Sequence, residues 1–166
     1  ELIPRIDQRY RTIDSRAGRA AHGFSMGASG ALKFTIKYPN LFCAAVAYGG
    51  GAIDLEKTQM PFVLKILEKN LAMNPKLIQQ NNTYHYLEKN HDLVRRRGIE
   101  FLLICGEEDT WKESAVTFQA ALKAKNIPCQ LKLVPSVGHD IAKLTETEGE
   151  GAASFQDRVF RMSSKD

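Results

Sequence analysis

The sequence predicts an α/β fold with a mainly parallel sheet, and three observations carry that reading. Short apolar runs of strand length alternate with stretches of helical periodicity. The strand-like runs are continuously apolar rather than alternating, as in strands covered on both faces. A length of 166 residues with 43% hydrophobic and 25% charged side chains suits one globular domain with a core of its own, residues 1–166, and argues against disorder.

The elements follow in order. Over 2–10 the apolar residues Leu2, Ile3, Ile6 and Tyr10 recur at helical spacing, and Asp14, Ser15, Arg16 and Gly18 then break the pattern. Residues 19–23 form a short strand candidate. A helix is predicted over 26–38, where Pro39 prevents its extension. The apolar run 41–48 reads as a buried strand leading into Gly49, Gly50 and Gly51. Residues 52–97 change character and predict a helical cap-like insert: one helix opened by Pro61 with Val63, Leu64, Leu67 and Leu71 inward, another opened by Asn74 and Pro75. Regularity returns with a strand over 100–105, a helix over 112–125 with Ala115, Phe118 and Leu122 on one face, and a strand over 130–134. A polar, Gly-containing break over 145–151 precedes a last amphipathic stripe of Ala152, Phe155, Val159 and Met162.

Composition excludes several function classes. The formal charge of +4 is spread along the chain. Its densest run, Arg95, Arg96 and Arg97, follows Asp92 at helix spacing and reads as a solvated helix end rather than a nucleic-acid site. The longest apolar run, 41–48, is far shorter than the roughly 20 residues a membrane-spanning helix needs. Cys43, Cys105 and Cys129 are odd in number, lack metal-ligand spacing and sit in or beside apolar runs, so they read as small buried hydrophobes. No metal site and no cofactor is expected. The first ten residues have neither the basic start nor the apolar core of a signal peptide, which leaves the compartment unread.

The segment Gly23-Phe24-Ser25-Met26-Gly27 matches G-x-S-x-G between a predicted strand and helix, the context a nucleophile elbow requires. Such a sharp turn strains its central residue and needs small neighbours where the chain passes itself, here Gly23, Gly27 and Ala28. It exposes the Ser25 hydroxyl and leaves the Met26 backbone N–H at a helix N-terminus, where an oxyanion would form. The pattern also occurs by chance, so Ser25 needs partners. Of the four histidines, His139 is best placed, in a loop directly after a strand. His22 lies inside the strand before Ser25 and is expected to pack or hydrogen-bond. His85 and His91 fall in the insert and are expected to face solvent or touch substrate. A carboxylate must hold the imidazole tautomer. Glu107, Glu108 and Asp109 follow the strand over 100–105, and Asp109 is the chosen acid. The order Ser25, Asp109, His139 is that of α/β-hydrolases, with room between the first two for a cap and between the last two for one helix and one strand. Asp140 is expected to stabilise the loop beside His139.

The stretches ELIPRID, RAAHGFSMGASGALKFTIKYPNLFCAAVAYGGG, FLLICGEEDTW and LVPSVGHD together resemble the esterase-D-like branch of the α/β-hydrolases. That branch includes feruloyl esterases, S-formylglutathione hydrolase, enterochelin esterases and mycolyltransferases. The resemblance spans roughly residues 1–144 and implies Ser25 as nucleophile, Asp109 as acid, His139 as base and the Met26 N–H as one oxyanion donor. Ala28 departs from the family, which usually has a second Gly there. The chain is expected to be the C-terminal portion of such a domain. The family's first strands and the loop giving the second oxyanion N–H are then upstream, and the sheet edge left open invites self-association. Substrates are expected to be small-molecule or carbohydrate esters, of the feruloyl kind, with Phe24 and Trp111 as candidate contacts and Tyr84 and Tyr86 either lining the site or packing the cap. The same triad would serve acyl transfer or peptide cleavage. A catalytically silent binding fragment is the rival from another class.

Overall fold

The structure is a computed structural model that describes residues 2–163. Four strands, β1 (Ala20–Phe24), β2 (Ala44–Tyr48), β3 (Glu100–Gly106) and β4 (Cys129–Val134), form one parallel sheet in the order β1-β2-β3-β4. Around it lie α1 (Leu2–Arg9), α2 (Met26–Lys37), α3 (Pro61–Leu71), α4 (Pro75–Asn81), α5 (Thr83–Arg96), α6 (Lys112–Ala124) and α7 (Ile141–Ser163). Because the strand order runs one way and crossovers between parallel strands are right-handed, α2, α5 and α6 must fall on the same face. They do: Leu32 and Ile36 of α2, Leu87 and Val94 of α5, and Phe118 and Leu122 of α6 share one core with Ala45, Ala47, Phe101 and Leu103. On the opposite face α7 sets Leu144, Ala152, Phe155 and Val159 against Val46, Leu102 and Ile104. Both faces of β2 and β3 are thereby covered, which is why their sequences are apolar without alternation.

In several places the chain differs from the sequence expectation. The run over 41–48 is only in part a strand: the Leu41 N–H donates to the Tyr38 carbonyl in a turn, and pairing with β1 starts at Ala44. The polar segment over 145–151 is no break, since α7 passes straight through Gly149 and Gly151. Each glycine costs about 1 kcal/mol in a helix interior, but Leu144 on one side and Ala152, Phe155 and Val159 on the other are all buried along one seam, and that burial outweighs the cost. Met162, expected on the same stripe, is 54% exposed. Helix α1 forms as predicted, but its apolar stripe stays open: Leu2 is 73% and Tyr10 57% exposed. An ion pair of 2.9 Å from Arg19 to Asp7 ties α1 to the start of β1.

The segment over 52–97 divides in two. Val63 and Leu67 of α3 and Ile78 of α4 make a small separate cluster with Ile53, Leu55, Leu71 and Trp111, whereas Leu64 is only half-buried. Helix α5 instead belongs to the main core and is the crossover helix between β2 and β3. Buried Asn82 joins the halves: its Oδ1 accepts from the N–H groups of Leu55 and Tyr84, and its Nδ2 donates to Asp54 and Glu56. Among the described residues no helix is long and apolar enough to cross a membrane.

Candidate active site

Parallel strands with helical returns bring their carboxyl ends to one edge, and loops leaving that edge converge. The chain passes from β1 into α2 through a single residue, Ser25, at φ 57 and ψ −117. A non-glycine residue seldom holds positive φ unless its surroundings enforce it. Here the Ser25 N–H donates to the Tyr48 carbonyl at 2.9 Å, continuing the β1–β2 ladder, while α2 begins at once on the other side. Gly23 makes the turn possible, because a Cβ there would collide with the Gly27 backbone carbonyl and stand 2.7 Å from the Ala28 nitrogen. Gly27 contributes differently from expectation. A Cβ on it would meet nothing, since its carbonyl rather than its Cα approaches β1. Ala28 is fully buried, so its methyl fills core space instead of crowding the turn.

The loop after β3 carries Asp109, whose residue is 5% exposed. Its Oδ1 accepts from the Trp111 N–H at 2.8 Å, and its Oδ2 stands 2.8 Å from His139 Nδ1. The loop after β4 turns through Ser136 at φ 57 and is joined to the β3 loop by hydrogen bonds from Glu107 N to Val134 O and from Glu108 N to Val137 O. Gly106 lies so close to Val137 that a Cβ would overlap its carbonyl oxygen. His139 Nε2 then stands 2.9 Å from Ser25 Oγ. With Nδ1 held by a buried carboxylate, Nε2 presents its lone pair to the hydroxyl, an arrangement able to take a proton from serine. Asp140 accepts from the N–H groups of Ala142 and Lys143 and so caps α7. Glu107 and Glu108 are exposed.

Gln156 of α7 lies against His22, and burial lowers the His22 pKa more than that contact raises it. His85 meets Tyr86 edge-on, and His91 Nδ1 lies 2.9 Å from the Glu88 carbonyl. Phe24 is absent from the lining of the cavity beside Ser25. It stacks on the His139 imidazole at 4.6 Å between centroids, on the α7 side of the sheet, because alternation along β1 sends Ala20, His22 and Phe24 to that face. Trp111 does line a cavity of about 520 Å³ that opens beside Ser25 and Met26. Its walls include Ile53, Leu55, Phe62, Ile66 and Leu67 from the segment over 52–97. Tyr84 packs on Phe118 in the core, and Tyr86 bonds the Gln80 carbonyl, so both are packing residues. The first-turn N–H groups of α2, Met26 among them, have no acceptor within the helix.

The sequence reading missed Gly49 and Gly50, at φ 66 and 130, which carry the β2 loop between Phe24, His139 and Trp111. Their run directly after a buried strand was the visible signal. It also missed Ser114, whose Oγ accepts from Gly51 N and donates to Trp111 O, and Ser29, which donates to Gly51 O. These bonds fix the cavity floor.

A serine at positive φ between a strand and a helix, at the carboxyl edge of a parallel sheet and with a carboxylate and an imidazole following in that chain order, places the protein among the α/β-hydrolases. Within that class the chain belongs to the putative esterase family, whose model matches residues 1–143. Esterase Rv1288 and Esterase MT1326 of Mycobacterium tuberculosis are each 44% identical over 52 residues, 31% of this chain and 11% of theirs. Among solved structures, a ferulic acid esterase superposes with a TM-score of 0.72 at 24% identity, covering 96% of this chain and 59% of that one. An S-formylglutathione hydrolase from Agrobacterium tumefaciens gives 0.73 at 22%, covering 95% and 55%. The chain thus spans less than two thirds of the length of these relatives, and the likeness of the two structures speaks for the fold.

Proposed function

We propose that this chain carries the nucleophile, acid and base of a serine carboxylesterase. The observation that supports the reading best is the unbroken line from Asp109 Oδ2 through His139 to Ser25 Oγ, with separations of 2.8 and 2.9 Å. Ser25 Oγ attacks the ester carbonyl as His139 Nε2 takes its proton. Asp109 holds the ring and stabilises its cationic form. The Met26 N–H faces the developing oxyanion, and His139 then delivers the proton to the leaving alcohol. A water molecule deprotonated by His139 releases the acid from Ser25. The strain at Ser25 favours this role, since it sets the hydroxyl at a fixed point above the sheet edge. Helices α3 and α4 act as a cap that gives the acyl or alcohol part of the substrate an apolar wall. Trp111 and Phe62, 6.3 Å apart between ring centroids, suit an aromatic or long aliphatic body, which fits acyl esters of sugars or aromatic acids of the feruloyl kind.

The test uses the full-length protein, a fluorophosphonate probe, 4-nitrophenyl acetate and methyl ferulate. Labelling is expected at Ser25 and absent in Ser25→Ala, whose turnover falls by about 10⁴-fold or more. Retention of more than about a tenth of the activity, a barrier change of only about 1.4 kcal/mol, would remove Ser25 from the mechanism.

A further inference from the structure

The cavity beside Ser25 is not uniformly apolar. Ser25, just before α2, and Ser29 and Lys33 on it follow one another at four-residue spacing, and all three line the cavity. At about 1.5 Å of rise per residue, Lys33 stands about 12 Å along the helix from the proposed nucleophile. Ile53, Leu55, Phe62 and Ile66 line the same cavity. At the far end Lys33 Nζ donates to Asn81 Oδ1 at 3.2 Å, and the Asn81 amide is itself fixed by donating to the Leu77 carbonyl at 2.9 Å. Asn70 of α3 also lines the cavity.

Among the described residues Lys33 has no ion-pair partner. Its hydrogen-bond partner is a neutral amide, the Phe34 ring centroid lies 5.3 Å from the ammonium, and Tyr86 interacts with it electrostatically. Several neighbouring carboxylates are engaged by other groups: Asp54 and Glu56 receive Asn82 Nδ2, Asp54 also pairs with Lys57, and Glu88 pairs with Lys125. Burial, reinforced by the like charge of Lys37 and only partly offset by Tyr86, pushes the Lys33 ammonium below the ordinary lysine value. An ammonium has three donors, of which Asn81 uses one. A half-desolvated cation facing an apolar cavity attracts an anion more strongly than one in open water.

We propose that Lys33, with Asn81 beside it, is an anion subsite, and that the preferred substrates are esters whose cavity-bound part is an apolar body ending in a carboxylate or phosphate group. The subsite specifies the far end of the substrate of the proposed esterase, and so rests on that reading.

The test measures charge preference in the full-length protein. One ester pair places the charge on the acyl part, mono-4-nitrophenyl suberate against its methyl-capped form. A second places it on the alcohol part, 6-acetoxyhexanoate against its methyl ester. In the wild type, kcat/KM is expected to favour the charged member of at least one pair by about tenfold, with the preference shrinking as salt rises. Lys33→Met brings the ratio to about one, Lys33→Glu inverts it and Lys33→Arg keeps it. Equal rates for both members of both pairs in the wild type, or a preference that survives in Lys33→Met, would overturn the subsite. Binding separates this from failure of the esterase reading. In Ser25→Ala, calorimetry should show monomethyl suberate bound about tenfold more tightly than dimethyl suberate, and Lys33→Met should abolish the difference. If no ester is turned over and Ser25 takes no probe, the esterase reading falls, and equal binding of these two ligands would remove the subsite as well.

Discussion

Replacing Gly106 by alanine tests whether the two loops that meet at His139 act as one rigid unit. The residue ends β3, and an added Cβ would overlap the Val137 carbonyl oxygen and stand 2.7 Å from that of Gly138. Real Cβ contacts are essentially never under 3.0 Å, and backbone atoms cannot swing aside as a side-chain tip does. The β3 and β4 loops must therefore part, by about 1 Å, a displacement able to cost on the order of 10²-fold in rate when it misplaces reacting groups. The hydrogen bonds that would stretch are Glu107 N to Val134 O at 2.9 Å and Glu108 N to Val137 O at 3.0 Å. Overpacking of this kind destabilises by about 1–3 kcal/mol, so the variant should fold with a lowered melting temperature. The assay is kcat/KM for 4-nitrophenyl acetate at a temperature well below the melt, beside Gly138→Ala, whose methyl would meet nothing within 4 Å. A Gly106→Ala protein as active as the wild type, or a Gly138→Ala protein equally impaired, would refute the idea that close contact of these loops sets the Asp109–His139 geometry.

Other expectations can be checked with the same protein. Asp109→Asn should lower turnover by about 10⁴-fold with a native melt, because an amide stabilises the wrong imidazole tautomer; a loss of less than about tenfold would assign the orienting role elsewhere. Burial raises the Cys43 thiol pKa and pushes those of Cys105 and Cys129 up to about 12, so a disulfide reagent at pH 8 should leave all three unmodified in the folded protein and react with them in urea. Since the fold keeps these protons to a higher pH than the unfolded chain does, their contribution to stability is full below about pH 8.5 and is lost as pH rises towards 12, which alkaline melting curves would show. Gly149→Ala, where the methyl meets nothing within 4 Å, should stabilise the protein by about 1 kcal/mol without altering kcat, and a lowered melting temperature would show that the glycine has a purpose in α7.

The sheet and its edge were legible in the sequence where local signals agree with the tertiary result. Continuous apolar runs marked β2 and β3, and Gly23-Phe24-Ser25-Met26-Gly27 between a strand and a helix located the turn at Ser25 without reference to the rest of the chain. The pairing of His139 with Asp109 was readable because both leave parallel strands at the same end. Less readable were features that depend on a distant surface. The glycines of α7 look like a break until the sheet face that holds Leu144 and Phe155 is in view, and nothing in the spacing of Leu87 and Val94 tells a cap helix from one lying on the sheet. The stacking of Phe24 on the His139 ring is not readable in the sequence, because the two lie 115 residues apart. The anion-seeking end of the cavity was missed altogether: Lys33 is one cation among 23 until Asn81 is placed against it.

Ser25 leaves one margin of the four-stranded sheet and His139 the other, with β2 and β3 between them. At about 4.8 Å per strand, the loop after β4 must reach back over about 14 Å of sheet to close a hydrogen bond of 2.9 Å. Sheet twist accumulates strand by strand, so a few degrees of change at each step adds up across the whole width before it reaches that bond. The serine–imidazole separation therefore works as a strain gauge laid across the sheet. Anything that fixes the outer margin of β1, whether another strand, a second copy of the chain or an antibody, should register as a change in Ser25 reactivity even if it never approaches the cavity.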